Sequence, residues 1–422
     1  MKKLLFKNAK LSSGDVTDIL TENEFISAVG GNLEAPDAEV IDCKEKLYVL
    51  NGLCDMHVHF RDPGQTHKED ITTGADAAKA GGFTAVACMP NTRPAVDNEE
   101  TIKYIQKKAE QTKIDILPIA CITEGMKGES LADFDMYKRL GIKAISDDGR
   151  PVENAELMRE ALEETVSNGL IVTSHCEDLK IIDGGIINKG SVSDKLGVKG
   201  MDRASEDYIT AREIALAASC GARIHICHVS TKGSVNIIRA AKKDGVRVTC
   251  ETAPHYFTFT DDKLYSKDAD YRMNPPLREE SDRAAIEAAV IDGTIDCIVT
   301  DHAPHTADEK ADFLKAPNGV VGLETSLSVT LTRLYHTGKC TMADIERIMS
   351  KNPRRILGLS ELKIDAGYPA DLTVVDPDLE WTVDPQKLHS KSKNSVFKGE
   401  RLKGKTVMTV SKGEIVFDSE LK

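Results

Sequence analysis

Eight short apolar runs, most of them followed by a stretch with helical spacing, constrain this chain more than any other feature. The runs are LCDMHVHF (53–60), FTAVACMP (83–90), DILPIACI (115–122), IKAISDD (142–148), LIVTSHCE (170–177), RIHICHVS (223–230), VRVTCETAPH (246–255) and IDCIVTDHAP (295–304). They are mostly apolar without a break, as parallel strands buried on both faces require. Stretches 69–80, 98–112, 153–168, 205–220, 232–244 and 280–292 have helical patterning. Eight such alternations predict an α/β fold, a TIM-type (β/α)8 barrel spanning 51–363. Residues 1–50 and 364–422 instead carry short alternating strands and turns, such as DAGYPADLTVVDPD and VMTVSKGEIVFD. The two chain ends are expected to pair into one small β domain beside the barrel, which suits a length beyond one typical domain.

Composition narrows the partners. A net charge of −13 with no basic run argues against non-specific nucleic-acid or membrane-surface binding and leaves small molecules or other protein chains. No stretch approaches a transmembrane length, and MKKLLFKNAKLSSG has too short an apolar segment for a signal peptide, so the expectation is a soluble cytoplasmic protein. The ten cysteines are scattered without a C-x-x-C pair, five of them (Cys88, Cys121, Cys227, Cys250, Cys297) inside apolar runs. They read as reduced thiols packed as small hydrophobes.

Chemistry-bearing residues gather at one place in this pattern. His57 and His59 end the first run, Asp148 the fourth, His175 lies in the fifth, His228 in the sixth and Asp301 in the eighth. TIM-barrel enzymes build their active sites at these C-terminal strand ends. The His-x-His spacing puts both imidazoles on one strand face, because strands have a period of two. A single histidine there is usually structural, but compatible residues at five strand ends supply the nitrogen and oxygen ligands of one or two divalent ions such as Zn²⁺. By the same parity His225 falls on the face opposite His228 and should pack or cap outside the barrel. His255, after the seventh strand, could face the site. His67, His336 and His389 read as surface residues. Cys54, Cys176 and Cys227 read as core filling, and KKAEQTK (107–113) and REESDR (278–283) as solvated helix faces. The polar stretch 306–318, TADEKADFLKAPN, is a candidate lid.

DMHVHFRDPG together with TDHAPHTADEK resembles the paired signatures of the dihydroorotases, within the amidohydrolase superfamily. MPNT, SDDG, ETAPHY, MNPPLR and YPADLTVVD follow in family order, so the resemblance covers nearly the whole chain; MPNT and YPADL are shared with hydantoinase-like and allantoinase-like relatives. It implies the reversible interconversion of L-dihydroorotate and N-carbamoyl-L-aspartate in pyrimidine biosynthesis. By this resemblance His57, His59 and Asp301 hold one metal, and His175 and His228 a second. An aspartate, mapped to Asp148, stands between them where many relatives carry a carboxylated lysine; Lys143 and Asp147 are the alternatives. The implied cofactor is one or two Zn²⁺ ions, and Asp301 is the catalytic residue, taking a proton from water and passing it to the departing nitrogen. The substrate is an anionic small molecule. Arg61 would grip its carboxylate with Asn91 and His305, while Asn274 and the backbone of Asn318 and Gly319 hold the ring edge, and His59 also faces it. A homodimer and an association with aspartate transcarbamoylase are the expected assemblies. Two other readings stand beside this one: an allantoinase- or hydantoinase-like cyclic amidohydrolase, and an inactive barrel kept as a structural partner of a transcarbamoylase.

Overall fold

Each of the eight apolar runs contributes one strand: β1 (Leu53–Val58), β2 (Phe83–Cys88), β3 (Asp115–Pro118), β4 (Ala144–Ile145), β5 (Ile171–Ser174), β6 (Ile224–Ile226), β7 (Val248–Thr252) and β8 (Cys297–Ile298). The computed structural model describes residues 2–419. β1–β3 pair in sequence, as do β4–β8, and every pairing is parallel. Isolated parallel bridges Ala120↔Ile145 and Val58↔His302 span the two seams and close the ring. A helix follows each strand: α1 (Ile71–Gly81), α2 (Glu99–Ala109), α3 (Phe134–Arg139), α4 (Ala155–Asn168), α5 (Ala204–Cys220), α6 (Lys232–Lys243), α7 (Glu280–Ile291) and α8 (Leu323–Thr330).

Six of these helices coincide with the stretches read from sequence. α3 has only six residues, too few to display a period. α8 is buried at every position except Glu324, so it has no polar face to alternate with an apolar one. The REESDR expectation is corrected in part, because Arg278 and Asp282 are buried. Arg278 pairs with Glu206 at 3.3 Å and Asp282 with Arg203 at 2.9 Å.

Side chains leave the strands in two directions. Cys54, Met56, Ala85, Ala87, Ile119, Ala144, Ile171, Cys227, Cys297 and Val299 form one cluster from seven of the runs, which fills the barrel interior. Val86, Val172, Ile224, Ile226 and Val248 belong to the larger core shared with Ile102, Ala161, Ile209, Ile238 and Ile286 of the helices. Both faces of the sheet are therefore buried, and polar side chains can emerge only at the strand ends.

A second sheet joins the two chain ends. Its strands are Lys3–Lys10, Val16–Glu22, Phe25–Gly30, Glu39–Asp42 and Tyr48–Asn51 from the start, and Leu372–Thr382, Arg401–Ser411 and Glu414–Asp418 from the finish. Antiparallel pairing of 372–375 with 48–51 links the two sets, and Leu4, Phe6, Ile19, Val49, Leu372 and Val410 pack as their core. Thr406 and Thr409 donate to the Gly81 and Lys79 carbonyls at the end of α1, at 3.1 and 2.7 Å. No helix among the described residues is long and apolar enough to cross a membrane.

Glu346 fastens this sheet to the barrel side. It is 2% exposed, and its Oε1 accepts from both Asn51 N (2.9 Å) and Nδ2 (2.8 Å), while Oε2 accepts from Ser12 Oγ at 2.8 Å and faces Lys351 Nζ at 2.6 Å. Removing the carboxylate strands buried donors at about 1–3 kcal/mol each. Glu346→Ala should lower the urea midpoint accordingly while circular dichroism stays native. An unchanged midpoint would mean that the sheet is anchored elsewhere.

Candidate metal centre and active site

Four imidazoles surround one carboxylate at the C-terminal end of the barrel. Asp148 Oδ1 lies 3.4 Å from His57 Nε2, 3.5 Å from His175 Nδ1 and 3.5 Å from His228 Nε2, while its Oδ2 is 3.5 Å from His59 Nε2. Asp301 Oδ1 approaches His59 Nε2 at 3.3 Å and His57 Nε2 at 3.6 Å. All six residues are at most 6% exposed. His57, His59 and Asp301 form one group whose ligand atoms could hold a metal ion, and His57, Asp148 and His228 another.

Backbone geometry aims these side chains. His228 (φ +33°), Asp301 (φ +47°) and Arg61 (φ +59°) all take left-handed conformations that non-glycine residues rarely adopt. Each lies just beyond its strand, so the turn redirects its side chain out of the strand alternation. This corrects the expectation for His225. β6 stops at Ile226, so the parity between residues 225 and 228 does not carry through the turn, and His225 points inward rather than outside the barrel. It is fully buried, with Nδ1 2.8 Å from Thr249 Oγ1 and Nε2 3.0 Å from Glu251 Oε2.

Outer partners fix the imidazole tautomers. His57 Nδ1 donates to Glu251 Oε1 at 2.7 Å and His59 Nδ1 to Asn91 Oδ1 at 2.9 Å, which leaves both Nε2 atoms free to face the cluster. His175 Nε2 donates to Glu177 Oε2 at 3.1 Å, and Glu177 Oε1 accepts from Asn274 Nδ2 at 2.9 Å. Asp55 accepts from His57 N at 3.0 Å and from Thr300 Oγ1 at 2.6 Å, tying β1 to the end of β8. The sequence reading missed Asp55, Glu177 and Glu251. The available signal was a carboxylate within a run destined for burial, which needs a partner.

The electrostatics calls for a cation. Burial works against charge on Asp148, yet the field of His57 and the close approach of His175 and His228 hold its carboxyl well below the ordinary range. Burial likewise disfavours the charged form of His175, but Asp148 and Glu177 push its pKa up to about 10. The His175 ring takes up positive charge because the buried carboxylates beside it demand it. His57 Nε2 and Asp148 Oδ1, though 3.4 Å apart, are buried without a hydrogen-bond partner. Two orphaned donor atoms facing one another within a nitrogen and oxygen donor set fit a bound divalent ion. Cys227 lies against His57 and Glu251, and burial raises its thiol well above the ordinary value, so it behaves as core. The alternative bridging residues lie elsewhere: Lys143 is exposed, and Asp147 accepts from Ile122 N and Thr123 N at 2.8 and 3.2 Å.

Beside this cluster opens a cavity of about 220 Å³, smaller than the roughly 300–1,000 Å³ of drug-sized sites. His59, Arg61, Asn91, Asn274, His305, Asn318 and Gly319 all line it with Asp148, His175, His228 and Asp301. Arg61 is 8% exposed and has no carboxylate within ion-pair distance among the described residues. Its neighbour Asp62 pairs with Lys108 at 2.8 Å instead. Arg61 Nε donates to Pro304 O at 3.4 Å, and burial lowers its pKa to about 10, against the pull of Asp301 and Asp148. His305 Nε2 donates to Asn318 O at 2.9 Å and its Nδ1 accepts from Lys68 Nζ at 3.3 Å. Gly319 (φ +133°) leaves no room for a side chain, since a Cβ would meet Ala303 at 2.7 Å.

The other histidines fall into place around this centre. His255 is buried near Asp301 with Nε2 unpartnered, and burial lowers its ring to about 4; it does not line the cavity. His302, which the sequence reading passed over, is buried against Glu69 and its carbonyl accepts from His59 N at 2.8 Å. His67 and His389 are exposed, whereas His336 is half-buried against Pro377 O at 2.8 Å.

Comparison with known proteins agrees with this geometry. The model of the family described as "Dihydro-orotase-like" matches residues 46–234. A dihydroorotase of Trichlorobacter lovleyi is 50% identical over 406 residues, 96% of this chain and 95% of that protein. One of Acetivibrio thermocellus is 45% identical over 409 residues, 96% of each chain. Among solved structures, the L-hydantoinase (dihydropyrimidinase) of Arthrobacter aurescens superposes with a TM-score of 0.87 at 25% identity, covering 99% of this chain and 96% of its own. The dihydropyrimidinase of Brevibacillus agri gives 0.86 at 24% identity, over 99% and 95%, and shares the fold. With full-length relatives at such identity, the chain belongs to the dihydroorotase family.

Proposed function

We propose that the protein is a zinc-dependent cyclic amide hydrolase that interconverts L-dihydroorotate and N-carbamoyl-L-aspartate, the activity its relatives' name denotes. One observation carries the choice of substrate: Arg61 is a buried guanidinium lining the cavity without a carboxylate partner. A buried charge of this kind needs a counter-charge, and a substrate carboxylate supplies it through the planar fork of the guanidinium. A neutral hydantoin or dihydropyrimidine ring would leave it unpaired, which favours this reading over a hydantoinase-like one. The complete set of six candidate ligands favours an active enzyme over an inert scaffold.

His57, His59 and Asp301 would hold one ion and His175 and His228 the other, with Asp148 between them. Zinc supplies Lewis-acid chemistry: it lowers the pKa of water toward neutrality and polarises an amide carbonyl. The chain does the rest. Glu251 and Asn91 keep His57 and His59 in the tautomers that present Nε2. Arg61, beside His305, holds the substrate carboxylate, and Asn274, with the backbone at 318–319, orients the ring. Asp301 accepts the proton of the attacking water as the new C–O bond forms, and returns it to the ring nitrogen as the C–N bond breaks. In the ring-closing direction the same carboxylate takes the proton from the ureido nitrogen.

Asp148→Ala should deplete the bound zinc found by elemental analysis after dialysis, because it removes the carboxylate shared by all four imidazoles. Lys143→Ala, at an exposed position, should leave zinc at the wild-type level. Loss of zinc from the Lys143 variant, with restoration of the wild type by bicarbonate, would instead identify a carboxylated lysine.

Arg61→Met should reduce kcat/KM on dihydroorotate by roughly 10²–10³-fold, the scale of breaking a buried ion pair. Turnover of dihydrouracil, which lacks the carboxylate, should fall far less, and Arg61→Lys should recover only part of the loss. Equal losses on both rings would assign Arg61 to the fold or the metal site and remove the argument for an acidic substrate.

A further inference from the structure

The last residue of the TDHAPHTADEK motif has no part in the chemistry above, yet it is among the most committed side chains near the cavity. Lys310 is 7% exposed, and its Nζ donates to three backbone carbonyls: Arg272 O at 3.2 Å, Pro317 O at 3.1 Å and Gly319 O at 3.0 Å. An ammonium has three N–H donors, and all three are used. It does not line the cavity; it stands behind the wall that does.

Its acceptors belong to the segments that carry the ring-binding groups. Gly319 and Asn318 line the cavity from one side, and Arg272 lies two residues before Asn274 on the other. Gly319 N also donates to Arg272 O at 3.0 Å, so the ammonium and this amide share one carbonyl and draw the two segments together. At the far end, Lys310 closes the short helix Ala307–Lys310, which a capping box at Thr306 fixes directly after His305. One side chain thus ties the start of the 306–318 segment to its finish and both to the strip bearing Asn274.

We propose that Lys310 is a positioning residue that holds the Asn318–Gly319 wall and the Asn274 segment at the separation a bound dihydroorotate ring requires, and that it does so only as the ammonium. This rests on the cyclic-amide reading of the cavity. A neutral amine keeps two donors, which cannot serve three buried carbonyls, so one is left unsatisfied and the wall slackens. The charged form has little help. Asp268 and Asp270, the carboxylates whose charge favours it, both pair with Lys398 at 2.7 and 2.6 Å, and the Arg272 guanidinium repels it. On the other side, Glu309 pairs with Lys68 at 2.8 Å and stands beside His305. Burial lowers the Lys310 pKa to about 8, so the tie loosens just above neutrality.

The zinc-loaded enzyme tests this through a split between KM and kcat. Wild-type KM for dihydroorotate should rise as pH passes about 8. Lys310→Met should raise KM roughly tenfold or more at neutral pH, with a smaller change in kcat, unchanged zinc, and no further rise of KM around that pH. Lys310→Arg, which stays charged, should hold the neutral-pH wild-type KM on the alkaline side, where the wild type itself rises. A Met variant within twofold of wild-type KM, or one that retains the rise near that pH, would overturn the proposal. Hydrogen exchange on the wild type gives a reading independent of turnover and of whether variants fold. After correction for intrinsic rates, amides in 311–320 and 270–274 should lose protection between pH about 7 and about 9. Equal protection at both pH values would refute the tie. Absence of any turnover of dihydroorotate by the wild type would sink the substrate reading while leaving the exchange result to judge Lys310.

Discussion

A closed ring of parallel strands has no edge and no exposed face, so a polar side chain it presents for chemistry must leave at a strand end. Val58↔His302 and Ala120↔Ile145 close this ring, and the interior below is filled by Cys54, Met56, Ala85, Ala87 and their neighbours. The carboxylates and imidazoles therefore converge above an apolar plug, nearly buried, where water screens them only weakly. Asp148, reached by four imidazoles at 3.4–3.5 Å, is the product of that constraint. Placing so much like and unlike charge at one point is costly without a cation, and the orphaned His57 Nε2 and Asp148 Oδ1 mark where one belongs.

The same constraint explains the outer layer. Three of the four imidazoles offered to the centre have their other nitrogen or their backbone committed elsewhere, His57 to Glu251 and Asp55, His59 to Asn91, His175 to Glu177. Glu177 passes the restraint on to Asn274, and Asn91 lines the cavity itself, so the groups that orient a ring are built on the groups that orient the ligands. Arg61 is the exception. It is buried at the cavity wall with no carboxylate within ion-pair distance among the described residues, the observation on which the proposal of an acidic substrate rests.

Much of this was legible in the sequence because strand ends are easy to find. The eight runs locate the strands, and His57, His59, Asp148, His175, His228 and Asp301 stand out as polar residues at or near their C-terminal ends. Parity arguments fail where the backbone leaves the strand: His228 at φ +33° turns back, and His225, assigned to the outside, lies within. The choice among Asp148, Asp147 and Lys143 is open in sequence because all three sit within one short run; in the structure Lys143 is exposed, and Asp147, as buried as Asp148, is bound to the Ile122 and Thr123 amides while Asp148 faces the imidazoles. Glu251 and Lys310 escaped notice because their partners lie far along the chain or on the backbone, which no local pattern displays. α8 escaped because it is buried on nearly every side.

Zinc dependence of ring opening tests the central arrangement most directly. Protein stripped of metal by a chelator and reloaded in steps should gain dihydroorotate hydrolysis in proportion to zinc bound, measured by elemental analysis on the same samples, with none in the stripped protein. Undiminished hydrolysis by the metal-free protein would contradict it, since the cluster around Asp148 would then be a structural core and the chemistry would have to reside elsewhere.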